Sequence, residues 1–250
     1  MTTDPSGPKT DVGHWEVQHR RQPRMRLPSR LWVGTGNFER LLRQEVSPGA
    51  RVLEIGFAPG KQLAWLAKTL GARVAGVDFA ANGVETARKL FHALAIDGDL
   101  RCEDAFHTTQ PPGSFDVVYS IGVIEHFDDP RPLVRIHASL LAPGGRALIA
   151  IPNYRGVYGL VQRHFDQENL AIHNLGIMST SALAELAPRD LVAKVETFPF
   201  GRLTPGLLSF DSRWPRLPAT LAMAALNLVG LLQPFDVGVL CPWLVLRMEK

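Results

Sequence analysis

The sequence predicts an α/β domain with a doubly wound, mostly parallel sheet of seven strands, the last of them antiparallel. Short apolar runs alternate with segments of helical periodicity from about Val46 to Tyr154. A glycine turn follows the first run, and an acidic residue lies at or just after the end of each of the first three. Strands and helices that alternate in this way form parallel sheets, so we expect these polar strand ends to meet at one edge.

Length and composition are those of a folded protein. At 250 residues the chain is long enough to bury a substantial core, and 46% hydrophobic and 20% charged residues are typical of a soluble globular protein. The net charge of +3 is too small to indicate a nucleic-acid partner by itself. Cys102 and Cys241 lie far apart and form no metal-ligand pattern, and Met1–Thr10 lacks the apolar core of a secretory signal. We therefore expect a reduced, cytoplasmic setting and no metal.

Residues 1–30 are predicted to be a flexible N-terminal segment, and residues 31–250 a single domain. The first residues are rich in proline, glycine and polar side chains, a composition typical of disorder. Basic residues then cluster at Arg20, Arg21, Arg24, Arg26 and Arg30. A solvated tail is the simplest interpretation, and attraction to an anionic substrate or membrane surface is the functional alternative.

The glycine turn indicates a nucleoside-cofactor site. Val52–Ile55 is an apolar run with β-branched members, typical of a buried parallel strand. Gly56 and Gly60 permit a sharp turn, and leucines then recur at helical spacing at positions 63, 66 and 70. Asp78 closes the next apolar run, where an acidic side chain can bind ribose hydroxyls.

The glycine spacing argues against a dinucleotide. In the pattern G-x-G-x-x-G, aligned on Gly56, Ala58 stands at the second glycine and Lys61 at the third. The pyrophosphate site would be poorly formed, which disfavours a nicotinamide oxidoreductase.

The remaining elements follow in order. Helices are predicted for 38–46, 80–94, 132–141 and 181–187, and strands for 73–77, 100–103, 115–120, 146–151, 191–198 and 241–248. Residues 154–180 are too long for a plain connector and are predicted to cap the acceptor site. Residues 203–236 are predicted to contain an apolar helical insertion, in which Leu217–Leu232 carries no charge. This helix is too short to cross a membrane, so core packing, a homodimer contact, a lipid surface or an apolar acceptor are the alternatives.

Five motifs occur in one order over about Val46 to Tyr154. They are the acid-glycine turn, the acid after the second strand, Glu103-Asp104-Ala105 after the third, V-I-E-H-F-D-D-P after the fourth and L-A-P-G-G before the fifth. Together they resemble the small-molecule branch of class I S-adenosylmethionine-dependent methyltransferases, close in style to the quinone-biosynthesis O-methyltransferases. The resemblance implies a Rossmann-like fold with S-adenosylmethionine as cofactor. Ala58 departs from the middle glycine of the family's first motif.

The resemblance assigns cofactor roles to residues at the strand ends. Gly56, Phe57, Ala58 and Gly60 would approach the methionine part, and Glu54 its ammonium group. Asp78 would accept the ribose hydroxyls and Phe79 would stack on adenine. Asp104 and the Ala105 N–H would bind the adenine edge, and main-chain groups of Ser120 or Ile121 would face the sulfonium. In several families of this fold the segment before the first strand covers the cofactor, which makes Trp15 a candidate lid.

His126 is the candidate general base, since it follows the fourth strand beside the cofactor and a histidine tuned near neutrality suits proton removal from a hydroxyl. Glu125 would orient it, and His164 and His173 are alternative bases. A structural histidine bonded to a backbone carbonyl is the other interpretation of His126.

The sequence therefore predicts a methyltransferase that acts on oxygen or nitrogen of a small biosynthetic molecule, with an apolar or lipid-linked acceptor as the sharper alternative. A regulator or scaffold that binds the cofactor without turnover is a second hypothesis. An RNA methyltransferase is the third, disfavoured because Ser120-Ile121-Gly122-Val123 replaces the Asn/Asp-Pro-Pro-aromatic turn that holds a flipped base.

Overall fold

The computed structural model describes residues 9–10, 12–18, 27, 29 and 31–250. Within them, seven strands form one sheet: β1 (Arg51–Ile55), β2 (Arg73–Asp78), β3 (Gly98–Cys102), β4 (Phe115–Ile121), β5 (Leu141–Pro152), β6 (Lys194–Phe200) and β7 (Trp243–Glu249). Their order is β3-β2-β1-β4-β5-β7-β6. Strands β1 to β5 are parallel, and β7 is antiparallel to both β5 and β6. The predicted fold class is confirmed.

The helices make the crossovers that a parallel sheet needs. In the described part of the chain they are α1 (Val12–Gln18), α2 (Val33–Glu45), α3 (Lys61–Leu70), α4 (Ala81–Ala93), α5 (Arg131–Leu140), α6 (Val157–Phe165), α7 (Gln167–Ala171), α8 (Thr180–Ala184) and α9 (Arg216–Leu232). Helix α3 joins β1 to β2, α4 joins β2 to β3, and α5 joins β4 to β5. Each of these strands therefore ends at the same edge of the sheet.

Both faces of the sheet are covered by apolar side chains. Val52 of β1 belongs to the cluster that includes Leu63 and Leu66 of α3, while its neighbour Leu53 packs in the opposite cluster with Leu133 of α5. Successive strand residues point to opposite faces, so a strand covered on both sides needs apolar residues on both of them. This is why Val52, Leu53 and Ile55 of the first strand are all apolar, with Glu54 as the charged residue among them.

One predicted loop is part of a strand. The L-A-P-G-G motif was expected to precede the fifth strand, but β5 begins at Leu141 and its pairing with β4 shifts register between Phe115 and Val117. Gly145 lies at this irregularity, where a Cβ would come within 2.9 Å of the carbonyl oxygens of Ala142 and Phe115. The glycines therefore form a bulge inside the ladder.

The predicted cap, residues 154–180, folds into α6, α7 and a short 3-10 helix at Leu175–Ile177. The predicted apolar helix is α9, which begins at Arg216, two residues before Pro218. Proline is tolerated there because N–H groups in the first helical turn have no carbonyl partner within the helix, so the missing N–H of proline costs no intrahelical hydrogen bond. No helix in the described ranges combines the length and apolar character needed to span a bilayer.

The N-terminal prediction is only partly within the described residues. Helix α1 lies inside the segment 1–30 that was expected to be flexible. The five arginines of that segment lie outside the described residues.

Candidate active site

The glycine turn between β1 and α3 forms as predicted. Gly56 and Gly60 have φ values of 74° and 81°, which glycine adopts without strain. A Cβ on Gly56 would lie 2.6 Å from Cγ2 of Val123, and one on Gly60 would lie 2.9 Å from Cβ of Ala87. The turn therefore packs directly against the segment after β4 and places the N–H groups of the first turn of α3 at the strand edge.

Asp78 at the end of β2 is tied to this turn. Its Oδ2 accepts a hydrogen bond of 3.0 Å from the Ala58 N–H, and its Oδ1 accepts one of 2.8 Å from the Ala80 N–H. The side chain is buried. The two backbone bonds fix the carboxylate at the edge where the β1 and β2 ends meet.

Glu54 is buried one residue before the end of β1, and its Oε2 accepts a 2.8 Å hydrogen bond from the Tyr119 hydroxyl. Burial raises the pKa of Glu54 well above its usual value, the Tyr119 bond opposes this shift, and the nearby Asp78 carboxylate adds to it. Sequence analysis did not single out Tyr119, which stands opposite Glu54 because β4 pairs with β1 in parallel.

The adenine-side candidates lie along the ends of β2 and β3. Asp104 is exposed and caps a short 3-10 helix, Ala105–His107, by accepting a 3.0 Å hydrogen bond from the Phe106 N–H. Phe79 and Phe106 are more than a third exposed. These aromatic side chains are therefore only partly buried at this edge, and the Phe106 ring also contacts that of Phe127 at 5.6 Å.

Ser120 and Ile121 end β4. The Ser120 hydroxyl lies 3.0 Å from Nε2 of His137, whose Nδ1 lies 2.8 Å from the Leu133 carbonyl oxygen. Burial lowers the pKa of His137 to about 4. The Ser120 side chain thus contacts α5, while its backbone pairs with Ile55 of β1 and Ile149 of β5.

Three candidate catalytic side chains meet in one buried cluster, which consists of Glu125, His126 and His173. Their potential donor atoms all lie within 4.8 Å of one another. Nδ1 of His126 is 3.1 Å from the Ile172 carbonyl oxygen, Nδ1 of His173 bonds the Asn169 carbonyl oxygen, and the two rings are 4.6 Å apart. The sequence indicated each of these residues as a candidate on its own. Their proximity depends on how the cap, residues 154–180, folds onto the 3-10 helix Ile124–His126.

Burial controls the protonation of this cluster. It lowers the pKa of His126 to about 4, with the His173 ring adding to the shift, and it lowers the pKa of His173 as well. It raises the pKa of Glu125 to about 8. A pKa near neutrality was expected for His126. Its pKa is instead well below neutrality, because the ring is almost fully removed from water.

Helix α1 covers the cluster. The Trp15 ring contacts His126 edge-on at 5.0 Å, and the Lys9 N–H donates a 2.6 Å hydrogen bond to the His126 carbonyl oxygen. Glu16 accepts from the Asn82 N–H at 3.3 Å, which joins α1 to the start of α4. The candidate lid residue Trp15 is therefore placed across the same edge of the sheet.

His164, the other alternative base, is exposed on α6 and makes an edge contact with its neighbour Phe165. It takes no part in the cluster of Glu125, His126 and His173. Tyr154, which sequence analysis placed only at the boundary of the cap, is buried and its ring lies 5.1 Å from that of His173. Its position at the end of β5 was the signal that it would reach this edge.

A second concavity lies at the opposite edge of the sheet. A surface groove of about 770 Å³ is lined by residues that begin strands, including Arg51, Arg73 and Gly98. Ligands of open α/β sheets bind at the carboxyl ends of the strands, so this groove is not the candidate active site.

Comparisons with known proteins agree with this geometry. The family model described as a methyltransferase domain matches residues 53–149. Methyltransferase GfsG of Streptomyces halstedii is 36% identical over 121 residues, which are 48% of this chain and 42% of that protein. The ubiquinone biosynthesis O-methyltransferase of Xanthomonas campestris is 38% identical over 109 residues, 42% of this chain and 44% of that protein.

A solved structure extends the likeness beyond the matched segment. Phosphoethanolamine N-methyltransferase 2 of Haemonchus contortus, in complex with phosphomonomethylethanolamine and S-adenosylhomocysteine, superposes with a TM-score of 0.60 at 20% identity, covering 86% of this chain and 52% of that chain. At this identity the likeness supports the fold alone. The chain spans less than half the length of the two curated relatives named above. Residues 53–149 are similar to a methyltransferase domain.

Proposed function

We propose that this chain transfers the methyl group of S-adenosylmethionine to an oxygen or nitrogen atom of a small biosynthetic molecule. The observation that carries the proposal is the contact between Gly56 and Val123. It sets the glycine turn against the segment that leads into Glu125 and His126. A cofactor held by the turn would therefore lie beside the buried cluster, which is the arrangement that a transfer reaction needs.

The residues at the carboxyl edge fit this cofactor. Gly56, Phe57, Ala58 and Gly60 would admit the methionine part, where a further Cβ on either glycine would collide with a neighbour. Glu54, beneath the turn, would interact with the ammonium group. The turn therefore has no room for a side chain at Gly56 or at Gly60.

Asp78 is assigned to the ribose. Its two backbone bonds orient the carboxylate before any ligand arrives, and a carboxylate has about four acceptor positions, so it can accept hydroxyl groups in addition to N–H groups. Phe79 would stack on adenine, and Asp104 with the Ala105 N–H would bind its edge. Main-chain groups of Ser120 or Ile121 would face the sulfonium.

When bound, the cofactor would supply an electrophilic methyl group on a sulfonium. The chain must then align the acceptor and exclude water, which supplies several kcal/mol in displacement reactions. We assign this role to His126, Glu125 and His173 beneath Trp15, because all three are buried and both imidazoles keep Nδ1 engaged with a carbonyl oxygen. The other ring nitrogen of each can accept a hydrogen bond from an acceptor hydroxyl.

The proposal extends to an apolar or lipid-linked acceptor. Helix α9 carries no charged residue from 217 to 232 and exposes several large apolar side chains, namely Leu217, Leu221, Leu228, Val229 and Leu232. A contiguous exposed apolar surface of this kind marks an interaction site. A lipid surface is the contact we propose, and a homodimer is the alternative that would cover the same face. A cytoplasmic location and the absence of a nucleic-acid partner remain expectations from composition.

Calorimetric titration of the full chain with S-adenosylhomocysteine, with NAD as the comparison, tests the cofactor. We expect binding of S-adenosylhomocysteine alone. Incubation with radiolabelled S-adenosylmethionine and a host metabolite extract, followed by mass spectrometry of the labelled product, then identifies the acceptor. Failure to bind S-adenosylhomocysteine would overturn the proposal, whereas binding without any transfer would favour a regulator or scaffold.

A further inference from the structure

The cluster of Glu125, His126 and His173 has a composition that metal ions favour. Two imidazoles and one carboxylate place potential donor atoms within 4.8 Å of one another. The side chains come from separate parts of the chain, the 3-10 helix after β4 and the end of the α7 segment. Each is at least nine-tenths buried.

The hydrogen bonds of the two histidines select their tautomers. A backbone carbonyl oxygen only accepts, so Nδ1 of His126 must donate its proton to Ile172, and Nδ1 of His173 must donate to Asn169. Each ring therefore keeps an unprotonated Nε2 with a lone pair. Metal-binding histidines show the same pattern, in which the second nitrogen donates to a carbonyl or carboxylate and fixes the ring.

The side chain of Glu125 provides an independent observation that points to a ligand. Its side chain is 1% exposed, and among the described residues its Oε2 has no hydrogen-bond partner. A buried carboxyl oxygen without a partner is costly, and such exceptions call for a specific explanation. A cation between this oxygen and the two Nε2 atoms would satisfy all three groups.

We propose that Glu125, His126 and His173 bind a divalent transition-metal ion of the zinc type. Two histidines and one carboxylate suit such an ion and leave a coordination position open. With metal–ligand bonds of about 2.1 Å, ligand atoms in a tetrahedral site are about 3.4 Å apart, so donor atoms within 4.8 Å of one another would have to move closer to bind one ion.

The open coordination position of the ion could bind the methyl acceptor, an inference that rests on the proposed function. An acceptor hydroxyl oxygen could occupy it, and the three side chains would then hold the acceptor through the ion rather than by direct hydrogen bonds. The metal site itself requires only the geometry of the cluster.

Titration of the full, chelator-treated chain with Zn²⁺ tests the inference. We expect one ion per chain, with affinity reduced more than about tenfold in Glu125→Gln and in His173→Ala. His92→Ala, which removes an exposed histidine of α4, should bind as the wild type does. Equal loss in all three variants, or no loss in the first two, would overturn the assignment.

A second measurement uses only the wild-type chain, so its result does not depend on whether the variants fold. Co²⁺ added to the wild-type chain should give the intense visible absorption of a four- or five-coordinate site, displaced by Zn²⁺, and a weak octahedral spectrum would contradict the proposal. A titration with S-adenosylhomocysteine in the presence of EDTA distinguishes failure of the metal site from failure of the proposed function. Binding there with no Zn²⁺ site would refute the metal alone, whereas a Zn²⁺ site without S-adenosylhomocysteine binding would refute the proposed function alone.

Discussion

The Asp78 carboxylate accepts a hydrogen bond from the Ala58 N–H, and so joins the end of β2 to the glycine turn after β1. The bond spans two strands that are neighbours in the sheet but 20 residues apart in the chain. The residue that would bind the ribose therefore also shapes the loop that would approach the methionine part.

Asp78→Ala is expected to weaken binding of S-adenosylhomocysteine by more than about tenfold, because it removes a charge-assisted acceptor and loosens the turn. Calorimetry measures the loss. Asp190→Ala is the matched control, since Asp190 pairs with Arg135 at an exposed site. Equal affinities for the two variants would remove the ribose assignment.

Gly56→Ala is expected to lower the free energy of unfolding by more than Gly49→Ala does. Both glycines have a positive φ, 74° and 76°, so each substitution costs about 1–2 kcal/mol of backbone strain. Only at Gly56 does the added Cβ meet a neighbour, Val123, whereas nothing lies within 4 Å at Gly49. Urea denaturation of both variants measures the difference.

The double variant Gly56→Ala/Val123→Ala should recover the part of the loss that comes from overlap, and leave the strain. If Gly56→Ala and Gly49→Ala lower the free energy of unfolding equally, contact between the glycine turn and Val123 does not restrict the side chain at position 56.

Stability should fall as the pH drops from about 6.5 toward about 4, in part through His137. Burial lowers the folded-state pKa of His137 to about 4, below the usual 6.5 of the unfolded chain. The unfolded chain therefore takes up the proton first, and the stability present above about pH 6.5 is lost through this window. One proton corresponds to about 1.4 kcal/mol per pH unit, or about 2 kcal/mol between pH 6.5 and pH 5.

His137→Gln should reduce this pH dependence by about that amount, whatever its effect on stability at pH 7. Urea denaturation at several pH values measures the slope for both proteins. Identical slopes would mean that His137 is protonated equally in the folded and unfolded chains.

Helix α9 is expected to bind vesicles through its exposed leucines. Leu221 and Leu228 are 61% and 55% exposed, and burial of one leucine contributes about 1.5–3 kcal/mol. Leu221→Glu/Leu228→Glu should therefore lose at least tenfold in sedimentation with phosphatidylglycerol–phosphatidylcholine vesicles. Val17→Glu, at another exposed apolar position, should retain binding.

Analytical ultracentrifugation of the same proteins separates the alternatives for this face. A wild-type dimer that the α9 variant converts to a monomer, with no vesicle binding by either, would replace the lipid surface by a homodimer contact.

The succession of strands and helices along the chain, the glycine turn and the acidic strand ends could be predicted because they depend on local patterns. Val52, Leu53 and Ile55 are apolar at successive faces of β1, which indicates a strand covered on both faces, and Gly56 marks a backbone conformation that other residues avoid. Parallel connection then brings Asp78 to the same edge without further information. The irregularity at Gly145 was missed, because it lies in the register between β5 and β4, which the L-A-P-G-G motif does not reveal.

By itself, the sequence determined the fold class, the edge of the sheet that carries the site and the type of side chain available there. Only the tertiary structure decided which of the histidines meet, since His173 reaches His126 across 47 residues of chain and His164 does not join them. It also decided how Glu125 and His126 are protonated, because removal from water shifts a pKa only once other elements have closed over the group. Periodicity and motif spacing describe elements one at a time, whereas burial and proximity are properties of how those elements pack.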